Sequence, residues 1–254
     1  SHFINHKFCS SLVEYDIIKM RIISYNTYKC TQAKIDHILA MDADLYVLPE
    51  CFSKDHIVLP EEYDMLWCGD EDLTEKGLGV IWKKRLDVHV IPEYKKIKHI
   101  LPIIVNGAGF PKFILASWPT IWKEKKTYPQ LLLEALKEYS FYLDRFPSMV
   151  VGDFNCYIGQ NGVRKSKGTF EDCIAEMERR GLRSLYHEQT GEMFGEEKTP
   201  TFYWQFNQDK PFFLDYAFST MKPVSFTIGK WDKEISDHCP QIIELQEEPW
   251  DGRP

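Results

Sequence analysis

Short runs of apolar residues, each interrupted by a few polar ones, recur along almost the whole chain. Runs of this length that are rich in Val, Ile, Phe and Tyr are typical of β-strands. We predict strands over residues 21–25, 45–48, 77–82, 88–91, 101–105, 113–117, 149–151, 201–204, 213–218, 224–228 and 241–245. Apolar residues at helical spacing predict helices over residues 31–41 and 129–145, and between Thr169 and Gly181. Many short strands with a few helices between them indicate two sheets packed face to face, with helices outside.

Acidic, amide and histidine side chains directly follow or precede several of these runs. A Val-Val-Gly run ends at Asp153, and an Asp-His pair precedes the last predicted strand. The polar side chains at such breaks are Asn26, Glu50, Asp153, Asn155, Asp215, Asp237 and His238. Carboxylates and an imidazole at strand ends are the groups that metal-assisted hydrolysis of a phosphate ester requires.

Taken in this order, the five segments that carry these side chains resemble the endonuclease/exonuclease/phosphatase superfamily, which includes pancreatic deoxyribonuclease and the abasic-site endonucleases. The resemblance runs from about Met20 to Gln246 and depends on the order of the motifs, since each alone is weak. It implies an α/β fold, a four-layer sandwich of two mainly antiparallel β-sheets flanked by helices. The catalytic groups are then expected at loop tips along one edge of the sandwich.

The resemblance also implies a Mg²⁺ site, in which Mn²⁺ is expected to substitute. Mg²⁺ prefers oxygen ligands and keeps several waters, so one or two carboxylates suffice to hold it. Glu50 is the main candidate ligand, and Asn26 and Asp237 are the others. In isolation, a glutamate after a proline is usually an exposed surface residue, and the motif order alone favours a metal ligand.

The remaining side chains are expected to act on the phosphate and on water. By the family pattern, Asp153 orients or activates the attacking water and Asn155 hydrogen-bonds the phosphate. His238 contacts the scissile phosphate or transfers a proton, and Asp215 accepts its other N–H and fixes the tautomer. A lone Asp-x-Asn or Asp-His is more often structural, so these roles rest on the full set of motifs.

One strand departs from the family pattern. Many relatives place a histidine or tyrosine that reaches the phosphate after the strand at 113–117, and this chain has Trp118 there. An indole donates one hydrogen bond and stacks, but it cannot act as an acid or a base. We therefore expect Trp118 to bind substrate without transferring a proton.

A basic cluster follows the Asp153 motif by about ten residues. Its members Arg164, Lys165 and Lys167 are expected to border the site and to bind a nucleic-acid backbone, the alternative being a solvated loop. Trp122 and Tyr157 lie near basic clusters, where they either stack on bases or simply pack. The histidines without such a context, which we interpret as surface or packing residues, are His56, His89, His99 and His187.

The length, the cysteine pattern and the lengths of the apolar runs indicate the number of domains and the cellular compartment. The 254 residues are 44% hydrophobic, which suits one catalytic domain over residues 20–254. Residues 1–19 carry no motif, and we interpret them as an N-terminal extension or an expression remnant. Seven cysteines without Cys-x-x-Cys spacing indicate a reducing compartment, so a cytoplasmic protein is expected. No apolar run approaches the roughly 20 residues needed to cross a bilayer, so no membrane partner is expected.

Three functions fit the sequence. The leading hypothesis is a Mg²⁺-dependent phosphodiesterase that hydrolyses nucleic acid, most plausibly DNA, as an endonuclease or exonuclease. A net charge of −7 argues against coating nucleic acid by bulk attraction, and it favours slightly a second hypothesis, a phosphatase or phosphodiesterase of nucleotides or another small phosphoester. The third is a binding module without turnover, against which the intact set of candidate catalytic residues argues.

Overall fold

The computed structural model describes residues 19–107, 109–160 and 168–246. Its strands are β1 (Lys19–Ser24), β2 (Leu45–Cys51), β3 (Tyr63–Gly69), β4 (Gly77–Lys83), β5 (Asp87–Val90), β6 (Ile100–Asn106), β7 (Lys112–Ser117), β8 (Ser148–Asp153), β9 (Arg183–Ser184), β10 (Phe202–Tyr203), β11 (Pro211–Phe212), β12 (Asp215–Ser219), β13 (Pro223–Ile228) and β14 (Gln241–Gln246). Its α-helices are α1 (Gln32–Leu39), α2 (Tyr128–Glu138), α3 (Ser140–Arg145), α4 (Phe170–Arg179) and α5 (Leu185–Thr190).

Six strands form the first sheet, in the order β13-β14-β1-β2-β4-β3. β1 pairs with β2 in parallel and with β14 antiparallel, so the sheet is mixed. Successive side chains point to opposite faces of a strand. Accordingly, Ile22 packs in the large core shared with the second sheet, and Ile23 packs in a separate cluster with Ile35 and Ile38 of α1.

The second sheet has the order β5-β6-β7-β8-β12-β9 and is also mixed, because β7 and β8 are parallel whereas β8 and β12 are antiparallel. The two sheets share one core, to which Val47 and Val80 contribute from the first sheet and Val150 from the second. Helices α2 and α4 add Leu132 and Met177 to it. The predicted α/β sandwich of two sheets flanked by helices is confirmed.

Local details differ from the sequence predictions, which did not include β3 or α5. Pro49 was expected to end the second strand, but β2 continues to Cys51 with a register shift between Pro49 and Cys51. Such a bulge leaves Glu50 outside the regular ladder. The single helix predicted over 129–145 is two helices, because Tyr139 leaves the helical conformation between α2 and α3.

The described cysteines are all buried and free. Buried free thiols of this kind pack as small apolar side chains. None of the helices in the described ranges is long and apolar enough to span a bilayer.

Candidate active site

Strand ends at one edge of the two sheets bring the predicted catalytic side chains together. Asp153 ends β8 and is the direct cross-strand partner of Asp215, which begins β12. The parallel pairing of β1 and β2 places Asn26 near Glu50, with Asn26 Nδ2 lying 3.4 Å from Glu50 Oε1. The same Nδ2 donates to Asp153 Oδ2 at 3.0 Å, so Asn26 joins the two sheets.

The carboxylate of Asp153 is buried and held at both oxygens. The backbone N–H of Asn155 donates to Oδ1 at 2.9 Å, and Asn26 donates to Oδ2. Burial raises the pKa of Asp153 to about 7, although the positive charge of His238 opposes this rise. A carboxyl group with a pKa near neutrality is suited to accept and release a proton at physiological pH.

The glycine before Asp153 is required by packing. Gly152 has a φ of 146°, and a Cβ atom there would lie 1.9 Å from the carbonyl oxygen of Ser117 in the neighbouring strand β7. No other residue fits this close approach, so the Gly-Asp sequence is fixed by the fold as well as by the site.

His238 is buried and oriented by Asp215. Its Nδ1 lies 2.8 Å from Asp215 Oδ2, and its Nε2 lies 3.9 Å from Asp153 Oδ2, beyond hydrogen-bonding distance. Burial lowers the pKa of His238, but the charges of Asp215 and Asp153 outweigh burial and raise it to about 9. The ring is therefore an imidazolium at neutral pH, with Nδ1–H donating to Asp215 and Nε2–H available as a second donor.

The loop before β14 is fastened to the end of β1 through Ser236. Its Oγ donates to the backbone oxygen of Asn26 at 2.6 Å and accepts from the backbone N–H of His238 at 3.0 Å. Asp237 is thereby held close to the other acids. Its pKa is raised by burial, with the negative charges of Glu50 and Asp215 adding to the rise and His238 opposing it.

Glu50 is part-buried and faces a lysine that the sequence did not single out. Lys76 Nζ lies 3.3 Å from Glu50 Oε2 and 5.7 Å from the centre of the Trp118 ring. Glu50 itself has a φ of 57°, which is uncommon for a residue with a side chain. The bulge in β2 thus turns the carboxylate away from the ladder and toward the edge where Asn26 lies.

Two groups of side chains fit a divalent cation to different degrees. In the described part of the chain, Asp153, Asp215 and His238 have ligand atoms that all lie within 4.8 Å of one another. The imidazolium offsets only one of its two negative charges, but the group is buried, whereas Mg²⁺ keeps several waters.

Glu50 and Asp237 form the second group and offer two carboxylates. Burial raises the pKa of Asp237, and the negative charge of Glu50 adds to the rise. The predicted ligand Asn26 turns its Nδ2 toward Glu50, and its Oδ1 accepts from the Tyr28 N–H, so Asn26 positions Glu50 and presents no oxygen to it. The second group fits a hydrated, oxygen-preferring cation better.

Trp118 lines a cavity of about 600 Å³ that opens beside Glu50 and Asn155. His99, interpreted from the sequence as a surface or packing residue, packs in the wall of this cavity. His99 is only 6% exposed, lines the same cavity, and stacks on Trp118 with ring centres 4.9 Å apart. Burial lowers the pKa of His99 to about 4, so the ring is neutral.

Sequence reasoning thus missed Lys76, His99 and Ser236 as neighbours of the site. Only Ser236 had a usable signal, since it directly precedes the Asp-His pair. Lys76 and His99 reach the site through turns between strands, which the apolar pattern does not position. The predicted phosphate-binding residues Arg164, Lys165 and Lys167 lie outside the described residues.

No protein-family model and no curated protein matches the chain. Solved structures do match. The endonuclease domain of TRAS1, a telomere-specific non-LTR retrotransposon, is 15% identical with a TM-score of 0.63, covering 91% of this chain and 99% of that one. TDP2 from Caenorhabditis elegans is 12% identical with a TM-score of 0.62, covering 90% and 98%.

A third match is an endonuclease/exonuclease/phosphatase from Beutenbergia cavernae, which is 14% identical with a TM-score of 0.58 and covers 90% of this chain and 72% of that one. D. rerio TDP2, whose structure holds a single-strand DNA product, is 17% identical with a TM-score of 0.57. At such low identity, these likenesses establish a shared fold.

Proposed function

We propose that this chain, which has the fold of the endonuclease/exonuclease/phosphatase proteins, is a divalent-metal-dependent phosphodiesterase that hydrolyses nucleic acid. The observation that carries the proposal is the buried Asp153–His238–Asp215 network beside Glu50 and Asp237. Glu50, Asp153 and Asp215 come from three strands. Asp237 and His238 come from the loop before β14, and all five side chains converge at one edge of the sheets. Similar folds in an endonuclease and in TDP2 with a DNA product support nucleic acid as the substrate class.

In this proposal, Asp153 accepts a proton from the attacking water. Hydrogen bonds from Asn155 and Asn26 hold both of its oxygens, so the carboxylate has one orientation relative to the phosphate. Its pKa of about 7 makes it a stronger base than an ordinary aspartate. Removal of this group is therefore expected to abolish turnover.

His238 donates from Nε2 to a phosphate oxygen, and its positive charge offsets the negative charge that develops in the transition state. Asp215 holds the His238 ring through Nδ1, so the second N–H, on Nε2, takes no part in that hydrogen bond. Nε2 lies 3.9 Å from Asp153 Oδ2, so its N–H remains available to the substrate. Each oxygen of Asp153 accepts one hydrogen bond and keeps a lone pair for the attacking water. Trp118 cannot replace a general base, because an indole has no group that accepts a proton at neutral pH.

Glu50 and Asp237 would hold Mg²⁺ or Mn²⁺, and the NH2 of Asn26 would orient the Glu50 carboxylate. When bound, the cation would supply Lewis-acid neutralisation of phosphate charge. Lys76 Nζ pairs with Glu50 Oε2 and would compete with a cation for the same carboxylate.

The direct test is cleavage of supercoiled plasmid and of a single-stranded oligonucleotide by the wild type and by Asp153→Ala, with Mg²⁺ and with EDTA. We expect cleavage that needs both the metal and Asp153. Near-normal cleavage by a folded Asp153→Ala protein, or by the wild type in EDTA, would refute the proposal.

A second candidate function is hydrolysis of a nucleotide or another small phosphoester. The observation that favours it is the cavity of about 600 Å³ beside Glu50, which is large enough to enclose most of a nucleotide. Competition decides between the two. If a small phosphoester is hydrolysed much faster than any polynucleotide under the same conditions, the second function replaces the first.

A further inference from the structure

The cavity beside the candidate active site has two walls made by loops. One wall is the segment between β3 and β4, which contributes Asp70 and Lys76, and the other follows β7 and contributes Trp118 and Trp122. Glu50 belongs to both the cavity and the proposed metal site. A group bound in the cavity would thus be adjacent to the phosphate that the site is proposed to hydrolyse.

The two walls are cross-linked, so the cavity is preformed. Lys98 Nζ donates to the backbone oxygen of Trp122 at 2.7 Å and pairs with Asp70 Oδ1 at 3.0 Å, which joins one wall to the other. Lys123 Nζ pairs with Asp72 Oδ2 at 2.9 Å across the same gap. A site that is already in shape loses less entropy when a ligand binds.

The floor combines aromatic and unpartnered polar groups. The rings of His99 and Trp118 are parallel within 6°, and Thr120 Oγ1 lies 2.9 Å from His99 Nδ1. His99 Nε2 and Asp70 Oδ2 are buried without a hydrogen-bond partner among the described residues, and they face each other at 4.0 Å, too far for a direct hydrogen bond. Unsatisfied buried groups of this kind are rare and favour a polar ligand over an acyl chain, which would leave them unpaired.

The rim is apolar and open to solvent. Trp122 is 60% exposed and Ile121 is 44% exposed, although both are large hydrophobic side chains. An exposed indole beside a cavity of this kind is suited to stack on a flat ring. Lys76, which lies over the Trp118 ring, adds a positive charge between this rim and Glu50.

We infer that the cavity binds an unpaired nucleobase, so that the substrate is a single strand or an unpaired strand end. The inference rests on the proposed function and specifies its substrate. The exposed indole, the polar floor and the adjacent ammonium group of Lys76 match a planar heterocycle that carries hydrogen-bonding groups and is attached to a phosphate. A base inside a duplex is stacked and paired, and it enters such a cavity only after it has been extruded at a cost of a few kcal/mol.

Binding is tested by calorimetry of the full chain with thymidine 5′-monophosphate and with 2-deoxyribose 5-phosphate, which lacks the base. We expect the nucleotide to bind the wild type more tightly than the sugar phosphate. Trp122→Ala should weaken nucleotide binding about tenfold and leave sugar-phosphate binding unchanged, because one base stack contributes 1–3 kcal/mol. The backbone oxygen that Lys98 holds is retained in this variant.

Two further variants serve as controls. Trp122→Phe keeps an aromatic face and should bind the nucleotide within about threefold of the wild type. Phe141→Ala removes an aromatic side chain that is 54% exposed on α3, away from the cavity lining, and should change nothing. Equal binding of nucleotide and sugar phosphate by the wild type, or an unaffected Trp122→Ala, overturns the inference.

Hydrolysis separates this inference from the proposed function. A wild type that cleaves a single strand faster than the same strand in a duplex, with the preference lost in Trp122→Ala, supports both. If cleavage needs Asp153 but proceeds equally on the single strand and on the duplex, and is unchanged in Trp122→Ala, the inference that the cavity binds a base is overturned and the proposed function is not. Trp122-dependent nucleotide binding without hydrolysis of any phosphoester supports the pocket and refutes the proposed function.

Discussion

Two histidines in this protein, the buried His238 and the half-buried His187, each contact a carboxylate, yet their surroundings are organised differently. His187 uses both ring nitrogens, since Nδ1 lies 2.7 Å from Ser184 Oγ and Nε2 lies 3.1 Å from Glu197 Oε1. Its ring also stacks on Phe194 with centres 3.7 Å apart. These partners lie close in sequence, so the network braces α5 and the loop that follows it.

His238 uses only one nitrogen within the protein. Asp215 holds Nδ1, and Nε2 stops 3.9 Å from Asp153. A fully bonded histidine has nothing left to offer a substrate, whereas a histidine with one oriented and unused N–H does. Burial and a nearby acid are common to both rings, and the two differ in whether a ring nitrogen remains unpaired.

The comparison is tested most strongly by the matched substitutions His238→Gln and His187→Gln. We expect His238→Gln to lower kcat by about 10³-fold, because general acid–base groups contribute roughly 10²–10⁴-fold. His187→Gln should retain kcat within about threefold, since its ring contacts no group proposed to touch the substrate. Initial rates of oligonucleotide cleavage, with circular dichroism to verify folding, provide the measurement. Equal losses in the two variants would remove the distinction.

The carboxylates that contact the two histidine rings, Asp215 at His238 and Glu197 at His187, are expected to differ next most in their effect on kcat. In Asp215→Asn, the amide can present an N–H to Nδ1 and favour the wrong tautomer, so kcat should fall about 10²-fold or more with little change in stability. Glu197→Gln, at the other ring, should leave kcat unchanged. Cleavage rates across both variants measure this, and an unimpaired Asp215→Asn would show that the ring needs no such partner.

Loss of His187 should lower the stability of the protein and not its activity. His187→Ala removes a stacked ring and leaves Ser184 and Glu197 without their partner, which we expect to lower the free energy of unfolding by about 3 kcal/mol. The exposed His89, whose side chain is 51% accessible, gives a control, and His89→Ala should change stability by less than about 0.5 kcal/mol. Urea unfolding measures both. A loss in His187→Ala as small as in the control would argue against a bracing role.

The pH dependence of stability gives a smaller contrast. The folded pKa of His238 is raised to about 9, above the roughly 6.5 of an unfolded histidine. Its contribution to stability is therefore complete below pH 6.5 and is lost as the pH rises through 9. In EDTA, the wild type should lose about 3 kcal/mol more than His238→Gln between pH 6.5 and 9.5. Parallel stability curves from urea unfolding would contradict the raised pKa.

Much of the site could be predicted from the sequence because its members end or begin apolar strands. Asp153 and Asp215 are examples, since each lies at the boundary of a strand whose apolar residues are evident. His99 could not be found in this way. Its stacking partner Trp118 lies across a β-hairpin, and nothing in the local pattern of a lysine-rich turn indicates that the imidazole is buried.

Glu50 illustrates a partial success. The proline before it was expected to end the strand, and the acid was expected to follow as a metal ligand. Instead the strand continues past a bulge, and the positive φ of Glu50 directs the carboxylate to the site edge. The position of the acid was predictable from the motif, but the backbone irregularity that exposes it depends on pairing with β4.

The sequence by itself determined the two-sheet architecture, because apolar runs of strand length can be buried in few other ways. It also determined which acids, amides and histidine stand at strand ends. Only the tertiary structure decided whether a histidine keeps an unpaired ring nitrogen, which lysine faces Glu50, and that two loops enclose a cavity beside the site. Those features arise from contacts between segments distant in sequence, and hydrophobic periodicity, which reports local burial, carries no information about such contacts.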